Sequence, residues 1–230
     1  PYVEGAAWHY LWSVQQDVPG LIKLLGGRRA FAAKLDTMLS SPPDFKVGGY
    51  KRVIHEMREQ KLARMGQYAH PNEPVHHVLY LYNYAGQPWK TQRRVREVQR
   101  RLYGTGPDGL LGDEDNGQLS AWYIFSAMGL YPVCPGQPIY AIGSPELTRA
   151  TIHLPGGKEF VVRAPGNSEA NVYVQRATLN GAPHSNTWIS HQDVVAGGEL
   201  ILHMGPTPNR TWGSRPEDAP PGALTALGEQ

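Results

Sequence analysis

Apolar positions divide the chain into two textures. From the start to about residue 132 they recur at helical spacing. Gly5–Leu25 is aromatic and apolar at mixed spacing, with Pro19 inside it and Gly26-Gly27 after it. Phe31, Leu35 and Met38 share one face of a predicted helix over Arg29–Leu39, and Pro42-Pro43 follows. Further helices are predicted from about Val53 to Met65, ending at Gly66, and from about Val75 to Tyr84, ending at Ala85-Gly86. Thr91–Tyr103 is amphipathic, with Val95, Val98 and Leu102 on one side and arginines elsewhere, which reads as a solvated basic face. Gly117–Met128 is apolar nearly all round, so it should be a buried helix, with Gly129 as its terminator. Beyond Pro132 short β-prone runs take over: Tyr140–Ile142, Ala150–Leu154, Glu159–Arg163, Asn171–Leu179 and Glu199–Met204. Pro155-Gly156-Gly157 and Asn180-Gly181 read as hairpin turns, and a Pro/Gly-rich tail starts at Pro206. The expectation is an α+β protein, helical over 1–132 and β-rich, sandwich-like, over 133–230.

Composition narrows this picture. Of 230 residues, 40% are hydrophobic and only 18% charged, so the chain can build a core and is not disordered. A net charge of +2 argues against a nucleic-acid partner. No apolar run approaches the roughly 18 residues of a membrane span. The single cysteine, Cys134, excludes an internal disulfide and a cysteine zinc site. Six Trp and twelve Tyr offer core material or, beside carboxylates, sugar-stacking surface.

Four clusters carry candidate chemistry. The first is Asp113-Glu114-Asp115, within GLLGDEDNGQLSAWY. It is not an EF-hand loop, because Gly117 stands at the fifth position and Ile124 at the twelfth. A helix-capping role accounts for one carboxylate, Asp115 or its neighbour Asn116, and leaves the others unexplained. In the second, Pro71 and Pro74 pin Asn72-Glu73 in a turn, whose oxygens suit a hard cation such as Ca²⁺ or cap a helix. The adjacent His76 and His77 would point about 100° apart on a helix and cannot share an ion. In the third, Glu4 sits among Tyr2, Trp8 and Tyr10, surroundings that raise a carboxyl pKa as a general acid requires, although by itself a lone Glu at a helix start reads first as a dipole partner. In the fourth, His55-Glu56 opens HEMREQ but is no zinc motif, since Glu59 stands where a second histidine is needed. Separated carboxylate sites, aromatic platforms and a possible Ca²⁺ position together suggest glycoside hydrolysis. One carboxyl group would protonate the leaving oxygen and another would activate water.

The segments VEGAAWHYLWSVQQDVPGLIKLLGG, HPNEPVHHVLYLYNYAGQPWKTQ and DGLLGDEDNGQLSAWYIFSAMGLYPVCPG closely resemble the C-terminal catalytic part of glycoside hydrolase family 92, and YAIGSPELTRATIHLP, ATLNGAPH and GGELILHMGPTPN continue the likeness. The resemblance implies a calcium-dependent, inverting exo-α-mannosidase, with mannose-containing glycans as substrate. It implies that 1–132 are the last helices of an (α/α)₆ barrel, that an N-terminal β-sandwich domain and the early barrel helices are missing, and that the protein is secreted or periplasmic. Carried over, Glu4 resembles the general acid, and Asp113 and Asp115 the base and its helper, with Glu114 pointing elsewhere. Asn72 and Glu73 resemble metal or substrate contacts near calcium. His55 and Glu56 resemble a pair lining the +1 site in members preferring α-1,2 linkages. Trp8 resembles a sugar platform, and Gln87, Trp89 and Lys90 a pocket wall. Ala6 and His9 depart from the residues common in the family, Asn and Gln. The alternative is a non-catalytic carbohydrate-binding protein, or an inactive fragment of such an enzyme.

Overall fold

The helices of the first 130 residues stop where the sequence places its breakers. The computed structural model describes residues 2–223. It contains α1 (Ala7–Tyr10), α2 (Val18–Leu24), α3 (Arg28–Ser40), α4 (His55–Ala63), α5 (Leu81–Tyr84), α6 (Pro88–Leu102) and α7 (Gln118–Met128). The Gly5–Leu25 stretch forms two separate helices, because Asp17 caps α2 by accepting the Gly20 N–H (3.0 Å) and Pro19 follows in its first turn. Gly26 and Gly27 are both left-handed, and α3 then buries Phe31, Leu35 and Met38 as its spacing predicts. The expected Val75–Tyr84 helix is instead two 3₁₀ turns, Glu73–Val75 and Val78–Tyr80, leading into α5. Carbonyls that a helix would use internally serve side chains here: His76 O accepts from the Trp122 indole (2.9 Å) and Leu79 O from the Thr91 hydroxyl (2.8 Å).

Two other expectations are corrected. The α6 arginines are not simply a solvated face. Arg96 is almost wholly buried and binds Pro145 O, Asn167 Oδ1 (2.7 Å), Ser168 O (3.1 Å) and the Glu146 carboxylate (2.7 Å), so it clamps the helical part to the loops beside the strands. α7 is buried on one side only: Leu119, Trp122, Ser126 and Ala127 face the core while Ile124 is exposed.

The strands are β1 (Leu130–Tyr131), β2 (Ile139–Ile142), β3 (Arg149–His153), β4 (Glu159–Arg163), β5 (Tyr173–Leu179), β6 (Ala182–Pro183), β7 (Trp188–Ser190) and β8 (Gly198–Gly205), with α8 (His191–Ala196) before β8. β1-β2-β7 form one antiparallel sheet, and β3-β4-β8-β5-β6 form the other, antiparallel except for the β4–β8 pair. Both turn assignments hold: Pro155–Gly157 joins β3 to β4, and Asn180-Gly181, both left-handed, joins β5 to β6. Ile142 and Ile189 from the small sheet meet Phe160, Val162, Leu200 and Leu202 from the large one in a single core. The described part of the tail is packed: the Trp212 indole donates to His184 O (3.0 Å), and nearly buried Asp218 accepts from Ser185 Oγ (2.7 Å) and Arg215 Nη2 (2.8 Å). Residues 224–230 of the expected tail lie outside the described residues.

The helical and β-rich parts share buried polar bonds. Asn83 Nδ2 donates to Ile142 O (2.8 Å), and Gln92 Oε1 accepts the Val174 N–H (3.1 Å). Tyr131, Val133 and Ala141 belong to the helical core while Leu130 belongs to the sheet core, so the two cores interlock around residues 130–141. Arg96→Ala should lower unfolding stability by about 3 kcal/mol in chemical denaturation, because Glu146 and two carbonyls lose a buried partner. Arg100→Ala, at a more exposed position, should cost no more than about 1 kcal/mol. Equal losses would refute the clamp.

Candidate active site

Glu4 is held by its backbone. Its N–H donates to the Tyr50 hydroxyl (2.8 Å), its carbonyl accepts from Asn72 Nδ2 (2.6 Å), and its φ of 49° lies in the left-handed region. A non-glycine residue keeps that conformation only when its surroundings impose it. The following turn is set by buried His9, whose Nε2–H donates to Gln67 O (3.0 Å), leaving Nδ1 to accept the Ala6 N–H (3.1 Å). His9 is thus a structural support of the Glu4 segment. Glu4 borders a cavity of about 600 Å³ together with Trp8, Tyr50 and Glu56. Its side chain is exposed at that border, not enclosed by the neighbouring aromatics as expected.

Asn72 is buried and bonded at both ends of its amide: besides the bond to Glu4, its Oδ1 accepts the Glu73 N–H (3.1 Å). Glu73 carries its carboxyl to Asp115. Partial burial, with the nearby charges of Asp115 and Glu4, raises the Glu73 pKa. Glu4, Glu73 and Asp115 therefore belong to one electrostatic cluster, although 111 residues of sequence separate Glu4 from Asp115.

The acidic triplet is divided three ways. Glu114 is the cap of α7, accepting the Gly117 N–H (2.6 Å) and the Ser120 N–H (3.2 Å), and those bonds lower its pKa. This corrects the capping role expected for Asp115 or Asn116. Asp115 faces Glu73, and Asp113 lies within reach of His55 and Glu59, whose pKa values its charge raises. Three successive left-handed residues, Asp115 (φ 52°), Asn116 (φ 56°) and Gly117 (φ 99°), turn the chain into α7. Such strain concentrates at functional sites.

Beneath the carboxylates lies a stiff layer of buried rings. The Tyr103 hydroxyl donates to Leu119 O (3.2 Å) and accepts from His70 Nε2–H (2.8 Å), so His70 Nδ1 accepts from Tyr68 (2.8 Å). His76 Nε2–H donates to His70 O (2.8 Å), which leaves its Nδ1 to accept from Gln118 (3.1 Å), the first residue of α7. His77 donates to Trp12 O (2.8 Å). Burial holds His70 well below its ordinary pKa, and His76 and His77 at about 4, so all three are neutral structural groups at neutral pH.

His55 bridges two carboxylates of its own helix, with Nε2 3.2 Å from Glu56 and Nδ1 3.0 Å from Glu59. Glu56 borders the cavity and His55 does not, so the expected pair divides into a wall residue and a support behind it. Glu59 is the residue that motif reading missed. Its i,i+4 spacing from His55 on α4 is the signal that could have found it. Trp8 borders the cavity as expected, with the Lys34 ammonium 4.5 Å from its ring centroid. Gln87, Trp89 and Lys90 do not border it. Lys90 pairs with Asp36 of α3, and the Trp89 ring has Lys90 at 5.4 Å and Arg210 at 5.2 Å.

The donor set for calcium is incomplete. Asn72 Oδ1 and the Glu73 and Asp115 carboxylates are hard oxygens of the type Ca²⁺ prefers, but the ion needs roughly six to eight of them. Among the described residues no group of three or more His, Cys, Asp or Glu side chains has the geometry to hold a metal. An ion held by Asn72 and Glu73 would need further oxygens from carbonyls, waters or other segments. No described helix is long and apolar enough to cross a membrane.

Glu4 and Glu56 border a cleft that Tyr2, Trp8, Phe45 and Tyr50 line with aromatic rings. The glycosyl hydrolase family 92 catalytic domain matches residues 1–206, and the chain belongs to that family. A family GH92 inverting mannosidase of Bacteroides thetaiotaomicron is 48% identical, with a TM-score of 0.84 over 97% of this chain and 30% of its own. A GH92 α-mannosidase of the same organism, solved with mannoimidazole, is 36% identical, with a TM-score of 0.85 over 95% of this chain and 28% of its own. An uncharacterized secreted glycosidase of Arthroderma benhamiae is 32% identical over 221 residues, which is 95% of this chain and 25% of that protein. The chain thus spans less than a third of the length of these relatives.

The buried imidazoles make a pH prediction. A histidine whose folded pKa falls from 6.5 to about 4 stays neutral in the folded state while the unfolded chain takes up a proton. Its stabilising effect is complete above pH 6.5 and is lost as pH falls toward 4, by about 3 kcal/mol per histidine. His77→Gln should flatten the fall in thermal stability across that window. Parallel wild-type and variant curves would count against this account.

Proposed function

We propose that the protein to which this chain belongs is an inverting exo-α-mannosidase that removes terminal mannose, α-1,2-linked in this reading, from glycans. The observation that carries the proposal is Glu4 at the border of an aromatic-lined cleft, its backbone tied through Asn72 to Glu73, in a chain of family 92. Glu4 is the general acid that gives its proton to the glycosidic oxygen as the bond breaks. Asp115, aided by Asp113, takes the proton from the attacking water. Both groups must reach solvent and sugar, which their exposure supports.

In this reading the seven helices are the closing part of an (α/α)₆ barrel, and an N-terminal β-sandwich domain and the earlier barrel helices complete the cleft. Calcium assistance belongs to that whole protein. Asn72 and Glu73 would be this chain's contribution, and the bound ion would supply positive charge against the mannose hydroxyls. A secreted or periplasmic location is in keeping with the secreted relative. Nucleic acid is no partner in this reading, since Arg96 and Arg100 are occupied by contacts to the 145–169 loops.

The exposure of Glu4 favours a second reading for the chain taken alone, that of an inactive, sugar-binding piece of the enzyme. The complete protein should release mannose from α-1,2-mannobiose, lose that activity in EDTA and regain it with Ca²⁺. Glu4→Gln and Asp115→Asn should each lower kcat by about 10²–10⁴-fold with the fold intact. Near-normal kcat in either variant would overturn its role, and full activity after thorough chelation would remove calcium from the account.

A further inference from the structure

We propose that Glu59, acting through His55, is a positioning residue that fixes Glu56 as the acceptor of a hydroxyl on the leaving-group sugar. The proposal rests on the glycosidase reading above. All three residues lie on α4, and the spacing of four puts Glu59 on the same helical face as His55. The imidazole joins them, with Nδ1 3.0 Å from Glu59 Oε1 and Nε2 3.2 Å from Glu56 Oε1. Nδ1 hydrogen-bonds to Glu59, and the protonated ring attracts the Glu56 carboxylate by charge at 3.2 Å from Nε2. The ring is 54% exposed, whereas the Glu56 and Glu59 side chains are only 12% and 15% exposed. Solvent therefore reaches the link while the two carboxylates it joins are held against protein.

The other oxygen of Glu56, Oε2, is buried and has no hydrogen-bond partner, and Glu56 borders the cavity. An unpartnered anionic oxygen at a cleft wall is an acceptor awaiting a donor, and a sugar hydroxyl is such a donor. The cavity is bordered by Glu4 and Glu56 but by neither Asp113 nor Asp115. Since the general acid stands beside the leaving oxygen, the space it shares with Glu56 is where the leaving group lies. A second element packs closely against Glu59. A Cβ on Gly112 would come within 3.0 Å of Glu59 Oε2 and 2.7 Å of Pro71 Cβ, so only glycine lets the loop before Asp113 pack there. The ionisable groups bearing on His55 are Glu56 and Glu59 from its own helix and Asp113 from that loop, and all three favour its protonated form.

The test compares two substrates in the complete enzyme: α-1,2-mannobiose, whose leaving group is a sugar, and an aryl α-mannoside, whose leaving group is not. Glu59→Leu should raise KM for the disaccharide by about tenfold or more while leaving the aryl substrate within about twofold. Glu59→Gln, whose amide oxygen still accepts from Nδ1, should recover most of that affinity. In both variants the His55 titration followed by NMR should move down toward 6.5. Equal losses on both substrates, or no change on either, would overturn the proposal while leaving the glycosidase reading intact. A wild-type enzyme that hydrolyses neither substrate would overturn the reading and the proposal together.

Discussion

The buried amide of Asn72 is the joint on which the candidate site depends. Its Nδ2 holds the carbonyl of Glu4 and its Oδ1 holds the N–H of Glu73, so one side chain fixes the backbone of two acidic residues 69 positions apart. A buried amide is costly unless its polar atoms are bonded, which makes this arrangement self-enforcing: releasing either residue strands part of the amide. Glu4 sits in a left-handed conformation that a free chain would leave, and the Asn72 and Tyr50 bonds keep it there. Glu73 then meets Asp115, which extends the same frame to the loop before α7.

That frame stands on rigid ground. His70, His76, Trp122 and Tyr103 pack ring against ring, with centroids as close as 4.3 Å for His70 and Trp122, and their hydrogen bonds fix each tautomer. Exposed carboxylates need such support, because a substrate-facing group cannot be held by burying it. The His76–Gln118 bond passes the constraint to the start of α7, directly after the three left-handed residues that orient Asp113 and Asp115.

Elements whose pattern agreed with their surroundings were legible in the sequence. α3, with Phe31, Leu35 and Met38 on one face, and β4, bounded by turn residues, emerged nearly as expected. The 73–84 segment did not form one helix, because its carbonyls bond to Trp122 and Thr91, partners no local pattern reveals. Arg96 looked solvated because amphipathic spacing cannot show the loops that arrive at residues 145 and 167–168. The motifs carrying Glu4, Asn72-Glu73 and the acidic triplet were visible, and the structure brings Glu4, Glu73 and Asp115 together. Which acidic residue of the triplet caps α7 was not visible, since that depends on three consecutive left-handed residues. Trp89 and Lys90 do not border the Glu4 cavity, and their partners Asp36 and Arg210 are distant in sequence, so no local pattern reveals those contacts.

The central claim is that Glu4 and the Asp113/Asp115 loop stand on opposite sides of a bound mannose. A crystal structure of the complete protein with a mannose-configured transition-state mimic measures this directly. The account predicts the Glu4 carboxyl beside the leaving-group position and an Asp113 or Asp115 carboxyl across the ring, about 6.5–9.5 Å away with a water between. A separation of about 5 Å with no room for water, or a sugar bound where neither group reaches it, would contradict the account.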